Sequence, residues 1–197
     1  MSGAGPVLRY LSHPEVAIAP AVPVPEWGLH PRGQARIAAV AARGWPAGTD
    51  RVISSAERKA REAALPLAEA LGLAIEIRPR QGEIDRSSTG YVPHARHEAL
   101  ADRFFGRPEE SADGWETARA AQRRVLSDLR AILAETATGD LLIVGHGGVG
   151  TLLLCHFAGW AIDRARDQPA GGGYCFAIAL EGMSVMHGWQ PVETLGG

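Results

Sequence analysis

Cysteine is scarce in this chain, and the little that is present excludes two classes of protein. Only Cys155 and Cys175 occur among 197 residues. Each stands in an apolar run without a CxxC partner, which argues against a disulfide framework and against a structural zinc. Small buried thiols in a reducing, cytoplasmic setting are the expectation that follows. An excess of charge of one sign is also missing: the formal net charge is -2, with arginines scattered among Glu and Asp. No basic stripe is available to hold a polyanion by counterion release, so nucleic acid is not an expected partner. Long apolar runs are absent too. The opening "MSGAGPVLRYLS" has no basic segment followed by an apolar one, and "VAIAPAVPVPEW" is broken by prolines. Neither export nor a membrane span is expected. No internal repeat or low-complexity segment interrupts the chain, and the sequence gives no indication of oligomeric state.

What is there is an ordinary globular composition, 46% hydrophobic and 21% charged, enough to bury the core of one domain over residues 1–197. Apolar runs alternate with amphipathic ones. "VLRYL" reads as a strand, and "PRGQARIAAVAARG" as a helix with Pro31 near its start and Gly44 at its end. "RVISS" leads into "AERKAREAALPLAEALG", whose Ala60, Ala63, Ala64, Leu67 and Leu71 make one stripe, with a bend expected at Pro66 and a stop at Gly72. "AIEIR" alternates like a third strand. Residues 94–136 read as two helices parted by Pro108 and Gly114. "DLLIVG" is the most apolar strand and runs into a glycine turn opening a helix, while "GYCFAIALEGMSVMHGWQPVE" reads as two strands joined near Glu181-Gly182. Strands alternating with helices predict an α/β fold, a single three-layer α/β/α domain around a mostly parallel central sheet.

That architecture draws attention to the carboxyl ends of the strands, where ligands bind in open α/β sheets. The first strand ends at His13, the second at Ser54 and Ser55, the third a few residues before Glu83, and the fourth at His146-Gly147-Gly148. Imidazole titrates near neutrality and serves as a nucleophile when neutral. The backbone N–H groups of "HGG" at a helix start favour an anion, and Lys59 stands on the first turns of the neighbouring helix. The expected ligand is therefore a small phosphorylated molecule or an inorganic anion, with no metal and no organic cofactor. His94 and His97, spaced i, i+3, read as exposed polar residues of a surface helix in preference to a metal pair. "DQPAGGGYCF" reads as a turn before a strand that reaches toward the pocket.

The order "LRYLSHPE", "GLHPRGQARIAA", "VISSAERKAREAA", "GEID", "GWETARAAQRRV", "LLIVGHGGVGTLLL" resembles the histidine phosphatase superfamily, with its phosphoglycerate-mutase-like fold, from about residue 7 to 158. The resemblance implies that His13 is the nucleophile that takes the phosphoryl group, that His146 helps hold it, and that Glu83 donates the proton, with Asp85 as the alternative acid. It implies that Gly33 positions structure more than chemistry. Two departures from the family pattern stand out: Ser12 replaces the arginine before the nucleophile, in Ser-His-Pro-Glu, and Lys59 replaces the arginine of the "RA" pair. A guanidinium grips phosphate with a planar fork, whereas an ammonium is a point charge and a hydroxyl has none. Arg86 is a candidate replacement. The implied reaction is phosphoryl transfer from a phosphomonoester to His13, assisted by Glu83 kept protonated by burial, with His146, Lys59 and the N–H groups of Gly147 and Gly148 meeting the charge, and then hydrolysis. A binding member of the fold without turnover is the alternative. A mutase is disfavoured by the apolar segment after His13, which with Trp27 and Tyr91 suggests a wall for an apolar or aromatic alcohol.

Overall fold

The computed structural model describes residues 5–135 and 139–196. Six strands form one sheet: β1 (Val7–Ser12), β2 (Thr49–Ser54), β3 (Ile75–Ile77), β4 (Asp140–Gly145), β5 (Tyr174–Ala179) and β6 (Ser184–Pro191), in the order β3-β2-β4-β1-β5-β6. The first four run parallel, and β5 and β6 join antiparallel as a hairpin, turned at Gly182, whose φ of 76° suits a residue without a side chain. Five helices cover the sheet: α1 (Pro31–Ala42), α2 (Arg58–Leu71), α3 (His94–Gly106), α4 (Ala118–Ala134) and α5 (Gly147–Phe157). Helix α2 runs through Pro66 and stops at Gly72 in the left-handed conformation.

Period-2 alternation along the strands splits the core into two layers. Tyr10, Ile53, Leu141, Ile143 and Phe176 face α3, α4 and α5, while Leu11, Val52, Leu142, Val144 and Cys175 face α1 and α2. The expected three layers are thus present, with an antiparallel hairpin extending the parallel part at one edge. Both cysteines are buried and free. Among the described residues no helix is long and apolar enough to cross a membrane.

Register places the chemistry. Ser12 of β1 pairs with Gly145 of β4, and Ser54 of β2 pairs with Val144. The ladder continues one step further: the His13 N–H donates to the Gly145 carbonyl at 2.9 Å and the Ser55 N–H to the Val144 carbonyl at 3.4 Å. His13, Ser55 and His146, each the first residue past its strand, are therefore brought side by side at the carboxyl edge of the three central strands.

Candidate active site

The two histidines share one corner. Their ring centroids are 5.1 Å apart with planes inclined at 75°. His13 Nδ1 lies 2.8 Å from the Pro14 carbonyl oxygen, which can only accept, so Nδ1 carries the proton and Nε2 keeps its lone pair. Burial, with the nearby His146 and Lys59 adding to it, lowers the His13 pKa to about 3, so the ring is neutral at physiological pH. The backbone around it is held tightly. A side chain on Gly33 of α1 would come within 2.6 Å of the Glu15 carbonyl oxygen, so that glycine lets α1 pack on the 13–15 segment, as the family resemblance implies. A side chain on Gly172 would overlap the His13 carbonyl oxygen. Glu15 itself is bound to Arg36 at 2.9 Å and to Arg32 at 3.2 Å.

His146 is fully buried at the start of α5. The Tyr10 hydroxyl bridges its backbone, accepting from its N–H at 3.0 Å and donating to its carbonyl at 3.1 Å. Its Nε2 is 2.7 Å from Ser55 Oγ and 3.5 Å from a Glu57 carboxylate oxygen, and its Nδ1 is buried without a partner among the described residues. Burial lowers its pKa against the opposing pull of Glu57 and Glu83.

Glu57 is one of the residues that sequence reasoning missed. It stands at the N-cap of α2, and its carboxylate reaches His146, the Lys59 ammonium at 2.5 Å and the Glu83 N–H at 2.8 Å. Burial alone would raise its pKa, but the charges of His146 and Lys59 outweigh that and lower it to about 2. Lys59 lines the cavity as expected, yet it is only 3% exposed and its ammonium is already engaged by Glu57 and by the Val24 carbonyl at 2.9 Å. Its charge is thus paired with a carboxylate at the cavity where the sequence reading has it meet the phosphoryl charge. Arg58, its neighbour, faces away and pairs with Glu62.

Glu83 also corrects an expectation. Its carboxylate accepts from the N–H groups of Gly148 at 3.2 Å, Val149 at 3.1 Å and Ile84 at 3.0 Å. Burial works toward the protonated form, but His146, Arg86 and these donors win, and the group is held ionised, with its pKa below the usual carboxylate value. A carboxylate on a helix N-terminus is in its most favourable setting. The Gly148 N–H is therefore occupied by Glu83, whereas the Gly147 N–H has no partner among the described residues. Arg124 of α4 fixes this acidic loop, donating to the carbonyls of Arg80, Gly82 and Glu83 and pairing with Glu116 at 2.8 Å. Asp85, the alternative acid, turns away: its carboxylate caps the Ser87 N–H and it does not line the histidine cavity.

Ser12 is buried and does not line the cavity of His13. Its hydroxyl accepts the Tyr174 N–H at 3.1 Å and is hydrogen-bonded to the Gln168 side-chain carbonyl. Arg86 does line the cavity. It stacks 5.5 Å from the Trp115 ring centre and donates to His97 Nε2 at 2.7 Å. His97 is thus a half-buried support for Arg86, not the exposed surface residue expected, while His94 is exposed. Among the described residues no group of three or more His, Cys, Asp or Glu could hold a metal.

The cavity measures about 720 Å³, and His13, Lys59, Glu83, Arg86, Gly147 and Gln168 contribute to its polar end. Apolar side chains among its other walls include Val16, Ile18, Val24, Trp27, Tyr91 and Phe105, with Trp27 and Tyr91 ring centres 5.6 Å apart, and the charged Glu98, Arg164 and Asp167 line it as well. The segment 168–172 reaches this cavity as the sequence suggested.

With this geometry in place, the kinship is clear: residues 23–180 match the histidine phosphatase superfamily (branch 1), and the chain belongs to that family. The matched span begins after His13, so the position of that residue rests on strand register. No curated protein matches the sequence. Among solved structures, Bacillus stearothermophilus YhfR is similar at a TM-score of 0.77 and 20% identity, covering 92% of this chain and 94% of that one. A mycobacterial glucosyl-3-phosphoglycerate phosphatase with inorganic phosphate follows at 0.72 and 18%, covering 94% of each chain. The Shigella flexneri alpha-ribazole phosphatase gives 0.71 and 16%, covering 97% of this chain and 98% of that one. At these identities the likeness is one of fold.

Proposed function

We propose that the chain acts as a single-domain cytoplasmic phosphohydrolase, removing the phosphoryl group of a small phosphomonoester through a phosphohistidine on His13. The observation that carries this reading is the state of His13: neutral, its Nδ1–H tied to Pro14, and its Nε2 left as a nucleophile at a cavity that it shares with Arg86 and the free N–H of Gly147. The fold neighbours add support, since the mycobacterial phosphatase is described with inorganic phosphate and with VO3.

In the first step Nε2 attacks phosphorus in line with the ester oxygen, forming the N–P bond as the P–O bond breaks. Arg86, His146 and the Gly147 N–H meet the charge on the equatorial oxygens. The arriving phosphate anion lies beside Glu83 and raises its pKa, so that Glu83 takes up a proton and passes it to the leaving alkoxide. Glu83, ionised again, then removes a proton from the water that attacks the phosphohistidine, freeing phosphate. No metal or organic cofactor takes part. The apolar walls around Trp27 and Tyr91 suit an alcohol with an apolar or aromatic portion.

One observation favours a second reading, binding without turnover: the Glu57–Lys59 pair removes a cation that would otherwise face the phosphoryl group. Hydrolysis of an aryl phosphate by the wild type and by His13→Ala separates the two. Turnover lost in the variant supports the phosphatase; equal background rates with retained phosphate binding support the binder.

A further inference from the structure

Ser12 stands where the family resemblance calls for arginine, and its surroundings are those of a support rather than a clamp. The hydroxyl accepts the Tyr174 N–H and reaches the Gln168 Oε1. The other end of Gln168 is anchored as well: its backbone N–H donates to the Asp167 carboxylate at 2.8 Å, and that carboxylate accepts from Thr151 of α5 at 2.9 Å. What remains is the side-chain NH₂, which has no partner among the described residues. It lies against Gly147, where any side chain would overlap it, and both residues line the cavity of His13.

We propose that Gln168, positioned by Ser12, is the phosphoryl-oxygen donor that takes the place of the absent arginine. An amide NH₂ offers two hydrogens and no charge, so it binds an anion by directed hydrogen bonds without adding a buried cation that would need its own counterion. With its carbonyl end held by Ser12, the amide is oriented before the ligand arrives, which is what makes a neutral donor effective in a dry site. The unpartnered Gly147 N–H beside it supplies a second donor on the same side. Ser12 thus acts only through Gln168 and is a positioning residue. This assignment rests on the phosphatase reading for the identity of the anion.

The test is titration of the full chain with inorganic phosphate and vanadate, with thermal melting as the control for folding. Gln168→Met keeps the length of the side chain and removes both hydrogen-bonding groups. It is expected to weaken both anions about 10- to 100-fold, the value of a hydrogen bond to a charged group. Gln168→Lys restores a donor with charge and recovers binding. Ser12→Ala weakens both anions several-fold and, in turnover of an aryl phosphate, raises KM with kcat little changed, while Ser12→Thr, which keeps the hydroxyl, behaves like the wild type. Wild-type affinity in a folded Gln168→Met would overturn the assignment alone, as would Gln168→Lys failing to bind if Gln168→Met is unfolded. A wild type that binds neither anion would overturn the assignment and the phosphatase reading together.

Discussion

The ring of His13 lies 5.1 Å from that of His146, at an inclination of 75°, because each follows the last residue of one of two parallel strands paired in register. His13 lines the cavity with its Nε2 lone pair free, and the buried His146 is wedged behind it by Ser55 and Tyr10. The remaining polar groups adjust the charge of that corner, and each makes a separate prediction.

The first concerns pH. His13 must be neutral to attack, and its pKa is lowered to about 3 by burial and by its neighbours. Falling pH therefore removes the nucleophile only near that value. For an activated aryl phosphate, kcat/KM, which reports the free enzyme, should show no acid limb with a midpoint above about pH 4. A midpoint near the ordinary histidine value would contradict the lowered pKa of His13.

Leaving-group dependence examines Glu83. Replacing its carboxylate in Glu83→Gln removes the proton donor, worth about 10²–10⁴-fold in rate. An alkyl phosphate, whose alkoxide needs that proton, should lose this much, and an aryl phosphate with a stable phenolate should lose far less. Equal losses for both substrates would mean that Glu83 acts only by holding the N-terminus of α5.

Glu57 makes a prediction about stability. Its folded pKa is lowered to about 2 from 4.5, because His146 and Lys59 overcome the cost of burial. Its contribution is present in full above 4.5 and lost as pH falls through the folded value. On linkage grounds this amounts to about 3 kcal/mol. Acid unfolding of the wild type should steepen in that window, and Glu57→Gln should be less stable at pH 7 with a shallower dependence below pH 4.5. Denaturant titrations of both proteins across the window measure it.

Tyr10→Phe deletes the hydroxyl that accepts from the His146 N–H, while the His146 carbonyl keeps its bond from the Gly150 N–H. Leaving that buried N–H unpaired costs about 1–3 kcal/mol, so Tm should fall by about 2–12 °C on the scale of a chain this size. Turnover should fall with it, since His146 loses its backbone anchor. A Tm matching the wild type would show that the bridge contributes nothing.

Much of this was legible in the sequence because it follows from position along strands. "YLSHPE" and "IVGHGG" put His13 and His146 at equivalent strand ends, and parallel pairing does the rest. Glu57 was hidden because it sits between the serines and Lys59 as one more polar residue of a helix start. Its place two residues before a lysine that had to be buried was the available signal. Gln168 lies 155 positions from His13 in a segment with no periodicity, and only the antiparallel return of β5 beside β1 brings it to Ser12. Arg124 was invisible for a similar reason: an arginine on an amphipathic helix does not announce that it fastens a loop 41 residues away. The ionised state of Glu83 could not be read from residue type, since burial and helix N–H donors act in opposite directions and only their geometry decides between them.

The most direct measurement is to trap the intermediate. After brief reaction with a labelled aryl phosphate and rapid denaturation in base, where a phosphoryl–imidazole bond survives, peptide mapping by mass spectrometry should find one phosphoryl group on His13 in the wild type. The label should accumulate further in Glu83→Gln, whose second step lacks its base, and should be absent from His13→Ala. Label on another residue, or turnover with His13 removed, would contradict the account.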